Sequence, residues 1–416
     1  MSVEELHINQ AQPLIMHIDL NSCFATIEQQ AKSHWRGDPV GVVAYDSPGG
    51  IILAASYEAK RLGIKLGTRV WEAERIAPNI HICTVDPPKY REAHKRFRSV
   101  LEEFTSPDNI TPKSIDEFVI DFSGSLSYYK GQTLQDIGRQ IKQRVHEVLG
   151  EAVFCNVGIG PNRFLAKLAS GLHKPDGLDE INKENMLKVY SKLELVDLPG
   201  INRRYNTRLQ LAGILNVTDF LHADRQRLRA IFGGIVGHYW WLRLRGHEID
   251  DKPTKLGQIG HQFAMKEKLT HEQLDPILYK LSQKIARRLH GKDLSAGGIH
   301  VGLRFVRSPY WHKSHKLSVR MVTAQEVFRA ARQLLDEHAP HGGLVSLVHV
   351  TTFGFEPVHP EQLALITNGR AISDRLLVAD TMNAVNDRYG EFALVPATML
   401  GTEGVAKDSI AFGNLS

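Results

Sequence analysis

The chain has 416 residues, a net charge of +5 and a hydrophobic fraction of 42%. That length suggests about two to four domains with real cores. No apolar run is long enough to cross a membrane, and Cys23, Cys83 and Cys155 are too far apart for a disulfide framework or a zinc spacing. The polar N-terminus lacks a signal-peptide pattern, so a reducing, cytoplasmic setting is expected. The charge is unevenly spread: Gly200 to His247 carries eight Arg against two Asp, and Lys252 to His338 carries sixteen Lys plus Arg against seven acids. Glu356 to Ser416 reverses sign, with four basic and eight acidic residues. Basic central segments ahead of an acidic tail suggest a polyanion-binding surface with an appendage; solvated helix faces give the same counts.

In chain order, Leu14, Ile15, Met16 and Ile18 form an apolar run ending at Asp19, as a buried strand would, and Cys23, Phe24 and Ile27 then take up helical spacing. Two short strands joined by a Ser-Pro-Gly-Gly turn follow, then a helix from about Ser56. Tyr90 to Phe104 and Leu134 to Leu149 keep the spacing of amphipathic helices. Between them, Pro112 to Asp121 reads as an extended segment carrying the adjacent acids Asp116 and Glu117. Two carboxylates in an apolar strand are costly to bury uncompensated, and a hard divalent ion would compensate them. Adjacent strand residues face opposite ways, so a bend is needed for both to meet one ion. Taken alone, this stretch favours a solvated Asp-Glu in a hairpin.

Val153 to Ile159 reads as a further strand, followed by a helix and a Lys-Pro-Asp-Gly turn at Lys174. The order strand-helix-strand-strand-helix-strand suits an α+β, ferredoxin-like unit. Residues 182–247 look entirely helical, and 248–258 is polar enough for a linker. A second α+β unit follows. In it Ile299, Val301, Leu303 and Phe305 alternate with His300 and Arg304, and Leu317, Val319 and Met321 alternate with Lys316, Ser318 and Arg320. Helices near Glu272–His290 and Thr323–His338, the second opening on a Thr323/Glu326 capping box, could cover the apolar face.

The Asp19 and Asp116-Glu117 stretches together resemble the Y-family (translesion) DNA polymerases, the group containing bacterial DNA polymerase IV and UmuC. The resemblance runs from about Leu14 to the end of the chain. It implies an α+β right-hand architecture: palm 1–34 and 86–181, fingers 35–85, helix-hairpin-helix thumb 182–247, linker 248–258, a separate α+β little finger 259–355, and a tail 356–416. It also implies that Asp19, Asp116 and Glu117 hold two Mg²⁺ ions (Mn²⁺ as a substitute), with the carbonyl of Leu20 completing the shell. Phe24, five positions past Asp19, stands where the family has the ring that excludes a 2′-hydroxyl. Asn21 stands where many members carry a second Asp.

The resemblance further implies that Tyr57, Lys60 and Lys174 hold the triphosphate. Lys60 replaces the family's usual Arg, so it can pair with a phosphate as a point charge and not through two parallel bonds. Gly200, Arg203 and Arg204, beside the Leu-Pro-Gly-Ile turn, and Arg304 and Arg320 are implied to contact the DNA backbone. Gln362, Leu363, Leu365 and Ile366 resemble the clamp-binding pentapeptide, with Ile in place of a terminal Phe. The implied activity is low-fidelity, template-directed nucleotidyl transfer from deoxynucleoside triphosphates onto primer-template DNA, by a monomer that binds a sliding clamp and no membrane. Two other classes fit parts of the pattern: an inactive DNA- and clamp-binding adaptor, and a palm-based enzyme such as a nucleotide cyclase. The helical hairpin and the basic second unit disfavour the cyclase.

Overall fold

The computed structural model describes residues 6–251, 256–340, 342–358, 369–390 and 392–402. Among the described residues two compact units divide the chain, residues 6–251 and residues 256–402.

In the first unit, β1 (Ile15–Leu20) is buried along its whole length and is followed by α1 (Cys23–Ala31). A small sheet comes next: β2 (Val40–Val43), β3 (Ile52–Ala55), α2 (Tyr57–Arg61) capped by the Ser56 hydroxyl, α3 (Val70–Ile76) and β4 (His81–Thr84). The chain returns through α4 (Pro87–Glu102), β5 (Ile110–Pro112), β6 (Glu117–Asp121), α5 (Leu134–Leu149), β7 (Cys155–Gly160), α6 (Arg163–Ala169) and β8 (Leu178–Glu180). The large sheet runs β5-β6-β1-β7-β8. Its first four strands have the ferredoxin-like order, and β8 extends it in parallel to β7.

The pleat of β1 decides what each side chain meets. Met16, Ile18 and Leu20 join Phe97, Val100, Ile137, Ile141 and Val145 in a core with α4 and α5. Burying side chains of this size is worth about 1.5–3 kcal/mol each. Ile15 packs instead with Ala166 of α6, so Ile15, His17 and Asp19 share the α6 side of the sheet. Here α6 sits directly on the backbone of β7: a Cβ on Gly158 would lie 2.1 Å from the Ala166 carbonyl oxygen and 2.1 Å from the Ser170 nitrogen. Only glycine permits that approach.

The helical part of this unit comprises α7 (Met186–Tyr190), α8 (Arg203–Leu211), α9 (Val217–His222), α10 (Arg225–Phe232) and α11 (Ile235–Leu244). Gly200 turns into α8 at φ +98° and Gly213 leaves it at φ +76°, conformations that suit glycine. Residues 248–250, expected to be linker, are tied into the unit: Arg163 pairs with Glu248 at 2.9 Å, and Arg243 pairs with Asp250 at 2.5 Å.

The second unit is built from β9 (Gln258–Leu269), α12 (Asp275–His290), β10 (Leu294–Phe305), β11 (Trp311–Met321), α13 (Ala324–His338), β12 (Val345–Pro357) and α14 (Gly369–Tyr389). Its sheet runs β11-β10-β12-β9, and the Thr323/Glu326 capping box is present. Alternation in β10 is as expected. In β11 it breaks: Met321 is buried but Val319 is 51% exposed. The register explains this, since Lys316 opposes Gly298 and Met321 opposes Ala296, leaving β11 with extra residues at a bulge. The segment 380–390, whose role the sequence does not reveal, packs along α12, with Asp387 on Arg287 and Asp380 3.5 Å from His290. Among the described residues no helix is long and apolar enough to cross a membrane.

Candidate active site

Asp19, one residue before the end of β1, lies opposite Glu117 on one side and Asn156 on the other. The expected bend is present: Asp116 lies in the turn just before β6, and its carbonyl accepts the Leu20 N–H at 2.9 Å. All three acids line one cleft of about 320 Å³, together with Leu20, Phe24, Tyr57, Lys60 and Lys174. Every residue of the expected metal and nucleotide sites is thus brought to one opening, from β1, α1, α2, the β6 bend and the turn after α6. Ser22, Cys23, Leu53, Ala54, Ala55 and Leu66 complete the wall; no motif in the sequence marked them as part of a site.

Each acid is compensated by its own chain. Lys174 donates to Asp19 Oδ2, Lys167 Nζ lies 2.8 Å from both oxygens of Glu117, and the Ser114 hydroxyl donates to Asp116 at 2.5 Å. Burial and then the nearby charges of Asp19 and Glu117 push the Asp116 carboxyl above the ordinary range, against the Ser114 hydrogen bond. For Glu117 burial acts upward as well, but His17 and Lys167 outweigh it and pull the group to about 2. Lys167 and His17 carry no sequence signal of their role, because both act through tertiary contacts.

The donor set is right for a hard cation: three carboxylates and the Leu20 carbonyl, all oxygen. Burial of Asp116 beside the like charges of Asp19 and Glu117 is what a divalent ion would relieve. Among the described residues, however, no three His, Cys, Asp or Glu side chains already form a closed metal-ligand group; Lys174 and Lys167 hold two of the acids instead.

At the other wall Lys60 reaches Ser22 Oγ at 2.7 Å and lies 4.5 Å from the centre of the Tyr57 ring. Burial and the like charge of Lys174 lower its pKa, with Asp19 opposing. Burial and Asp19 push Tyr57 up to about 12, with a Ser22 hydrogen bond opposing. Phe24 is 3% exposed and stacks on Tyr90, ring centroids 4.3 Å apart. Tyr90 in turn donates to the buried Glu28 at 2.9 Å, so the ring is held from behind.

The remaining expected contacts are spread over the molecule. Arg203 and Arg204 are exposed in the first turn of α8, beside the exposed Gly200, and Arg304 is exposed on β10. Arg320 is engaged internally: it donates to Ser295 Oγ at 2.8 Å and the Gly354 carbonyl at 2.6 Å, and pairs with Glu356 at 3.0 Å. Gln362, Leu363, Leu365 and Ile366 lie outside the described residues.

Residues 18–171 match the impB/mucB/samB family, and residues 257–365 match that family's C-terminal domain. DNA polymerase IV of Pelotomaculum thermopropionicum is 30% identical over 403 residues, covering 95% of this chain and 97% of the relative. DNA polymerase IV of Moorella thermoacetica is 31% identical over 402 residues, covering 94% and 97%. Among solved structures, a Y-family DNA polymerase chimera of Dbh and Dpo4 superposes with a TM-score of 0.69 at 22% identity, over 83% of this chain and 99% of the other. That likeness concerns the fold.

Proposed function

We propose, from the premise that this chain belongs to the impB/mucB/samB family and is a template-directed DNA polymerase of the translesion type, that its active site is the cleft of Asp19, Asp116 and Glu117. The observation that carries this reading is the convergence of the three acids with Phe24, Tyr57, Lys60 and Lys174 on one opening. The family is metal-dependent. In our reading Asp19, Asp116, Glu117 and the Leu20 carbonyl would hold two Mg²⁺ ions, whose charge would favour the attacking primer oxygen and the leaving pyrophosphate of an in-line displacement.

The chain's own residues supply the positioning. Lys60 and Lys174, the first beside Tyr57 and the second now on Asp19, supply point charges for the triphosphate. Phe24, immobilised by Tyr90, presents a flat face where a sugar would rest. The intact acids in one cleft speak against the inactive adaptor. The palm, fingers, thumb and little finger follow the boundaries given above. Arg203, Arg204 and Arg304 are proposed to hold DNA phosphates without reading bases. Monomeric state and a cytoplasmic setting complete the reading.

The test is primer extension with deoxy- and ribonucleotides. The parent should extend a primed template only as the template directs, and Phe24→Ala should raise ribonucleotide incorporation at least about tenfold while deoxynucleotide turnover stays measurable. Absence of templated extension by the parent removes the polymerase site assignment, and unchanged sugar discrimination removes the role of Phe24.

We propose the sliding clamp as a further partner, through Gln362, Leu363, Leu365 and Ile366. Gln362→Ala combined with Leu365→Ala should abolish retention on immobilised clamp; equal retention would dismiss this partner.

A further inference from the structure

Directly behind the cleft lie two asparagines that the reading above leaves without a task. Asn21 is 2% exposed and Asn156 is 1% exposed. Asn21 follows Leu20 at the end of β1, while Asn156 is the cross-strand neighbour of Asp19. Their amides form one chain. Asn21 Nδ2 donates to Asn156 Oδ1 at 2.8 Å, and Asn156 Nδ2 donates to the Ser170 carbonyl at 2.8 Å. Both amide oxygens also meet the turn after α6: Asn21 Oδ1 accepts the Asp176 N–H at 2.8 Å, and Asn156 Oδ1 accepts the Gly177 N–H at 3.2 Å as a second bond. Because Ser170 offers only a carbonyl and the turn offers only N–H groups, a single orientation of both amides satisfies every partner.

That turn carries Lys174. It is held from the far side too, where Lys142 of α5 pairs with Asp176 at 3.1 Å. It has little slack, since a Cβ on Gly177 would lie 2.2 Å from the His173 carbonyl oxygen. Asp176 takes φ +56°, an uncommon conformation for a residue with a side chain. A long lysine side chain can swing widely, so its aim depends on where its backbone is fixed.

We propose that Asn21, whose Oδ1 takes the Asp176 N–H directly while Asn156 holds its amide in place, is a positioning residue that fixes the 174–177 turn and thereby aims Lys174 at the cleft. The proposal rests on the reading of Lys174 as a triphosphate contact. Asn21 never touches substrate; it sets the backbone from which Lys174 reaches either Asp19 or a phosphate. An aspartate at this position would keep the acceptor for the Asp176 N–H while setting an oxygen against Asn156 Oδ1 in place of the donor, so it separates the bond to the turn from the bond to Asn156.

The test compares Asn21→Leu, Asn21→Asp, Lys174→Ala and the double variant Asn21→Leu with Lys174→Ala in the full-length chain. Two readouts are needed. Amide hydrogen exchange in the free protein, which needs no activity, should show faster exchange at Asp176 and Gly177 in Asn21→Leu. Steady-state primer extension should show KM for the incoming deoxynucleotide raised on the order of tenfold in Asn21→Leu, with primer-template Kd unchanged. Asn21→Asp should recover KM to within about twofold, and the double variant should be no worse than Lys174→Ala. Unchanged exchange at Asp176 and Gly177 overturns the network itself. Faster exchange with unchanged KM, or losses that multiply in the double variant, overturns the positioning of Lys174. A Lys174→Ala variant with parental KM would instead strike the reading of Lys174 as a phosphate contact, and the proposal with it, while the exchange result would stand apart.

Discussion

Asp116→Asn is expected to cut primer extension by at least about 10²–10³-fold, the loss typical when one preorganised electrostatic group at a reacting centre is removed. The substitution keeps the shape and still accepts from the Ser114 hydroxyl, so it isolates the charge. Folding should not suffer. Asp116 is already pushed above the ordinary carboxylate range by burial and by Asp19 and Glu117, so a neutral side chain removes an unfavourable interaction in the free protein. The variant should therefore melt at or above the parent temperature and bind primer-template DNA with parental Kd, while extension with Mg²⁺ collapses. Robust extension would take Asp116 out of the metal set. A lower melting temperature would show that the three-acid repulsion is not as described.

Gly158→Ala should be among the most damaging single-methyl substitutions in the first unit. The new Cβ would meet the Ala166 carbonyl oxygen and the Ser170 nitrogen, both at 2.1 Å. These are backbone atoms, and they are partners in the 3.0 Å hydrogen bond that closes the end of α6. They cannot swing aside as a flexible side chain could. Overpacking of this kind costs about 1–3 kcal/mol and occasionally more, which for a unit of this size lowers melting by roughly 2–4 °C per kcal/mol. Extension should fall as well, because α6 carries Lys167 on Glu117 and leads into the turn of Lys174. Gly124→Ala is the control, since nothing lies within 4 Å of a Cβ there; equal melting of the two variants would discredit the close-approach argument.

Much of the N-terminal fold was legible because its signals are local. The apolar run into Asp19 could only be a buried strand, and the two amphipathic helices flanking Asp116 and Glu117 had to cover one face of its sheet. Thr323 and Glu326 similarly announce α13 through a contact three residues long. The alternation of β11 misled at Val319 because a bulge depends on the partner strand, and an odd number of extra residues inverts the pleat.

The site divides along the same line. The sequence, through motifs that resemble a known family, put forward the three acids, the aromatic ring after Asp19 and the lysines at positions 60 and 174, since each sits in a short recognisable pattern. Tertiary structure alone decided that Lys174 rests on Asp19, Lys167 on Glu117, Tyr90 behind Phe24, and Arg320 inside its own sheet. It also decided that Asn21 and Asn156, 135 positions apart, share one hydrogen bond. The physical reason is range: a strand or helix is set by neighbours within a few residues, whereas a buried charge or amide is set by whichever distant group the fold brings within 3 Å to replace the water it has lost.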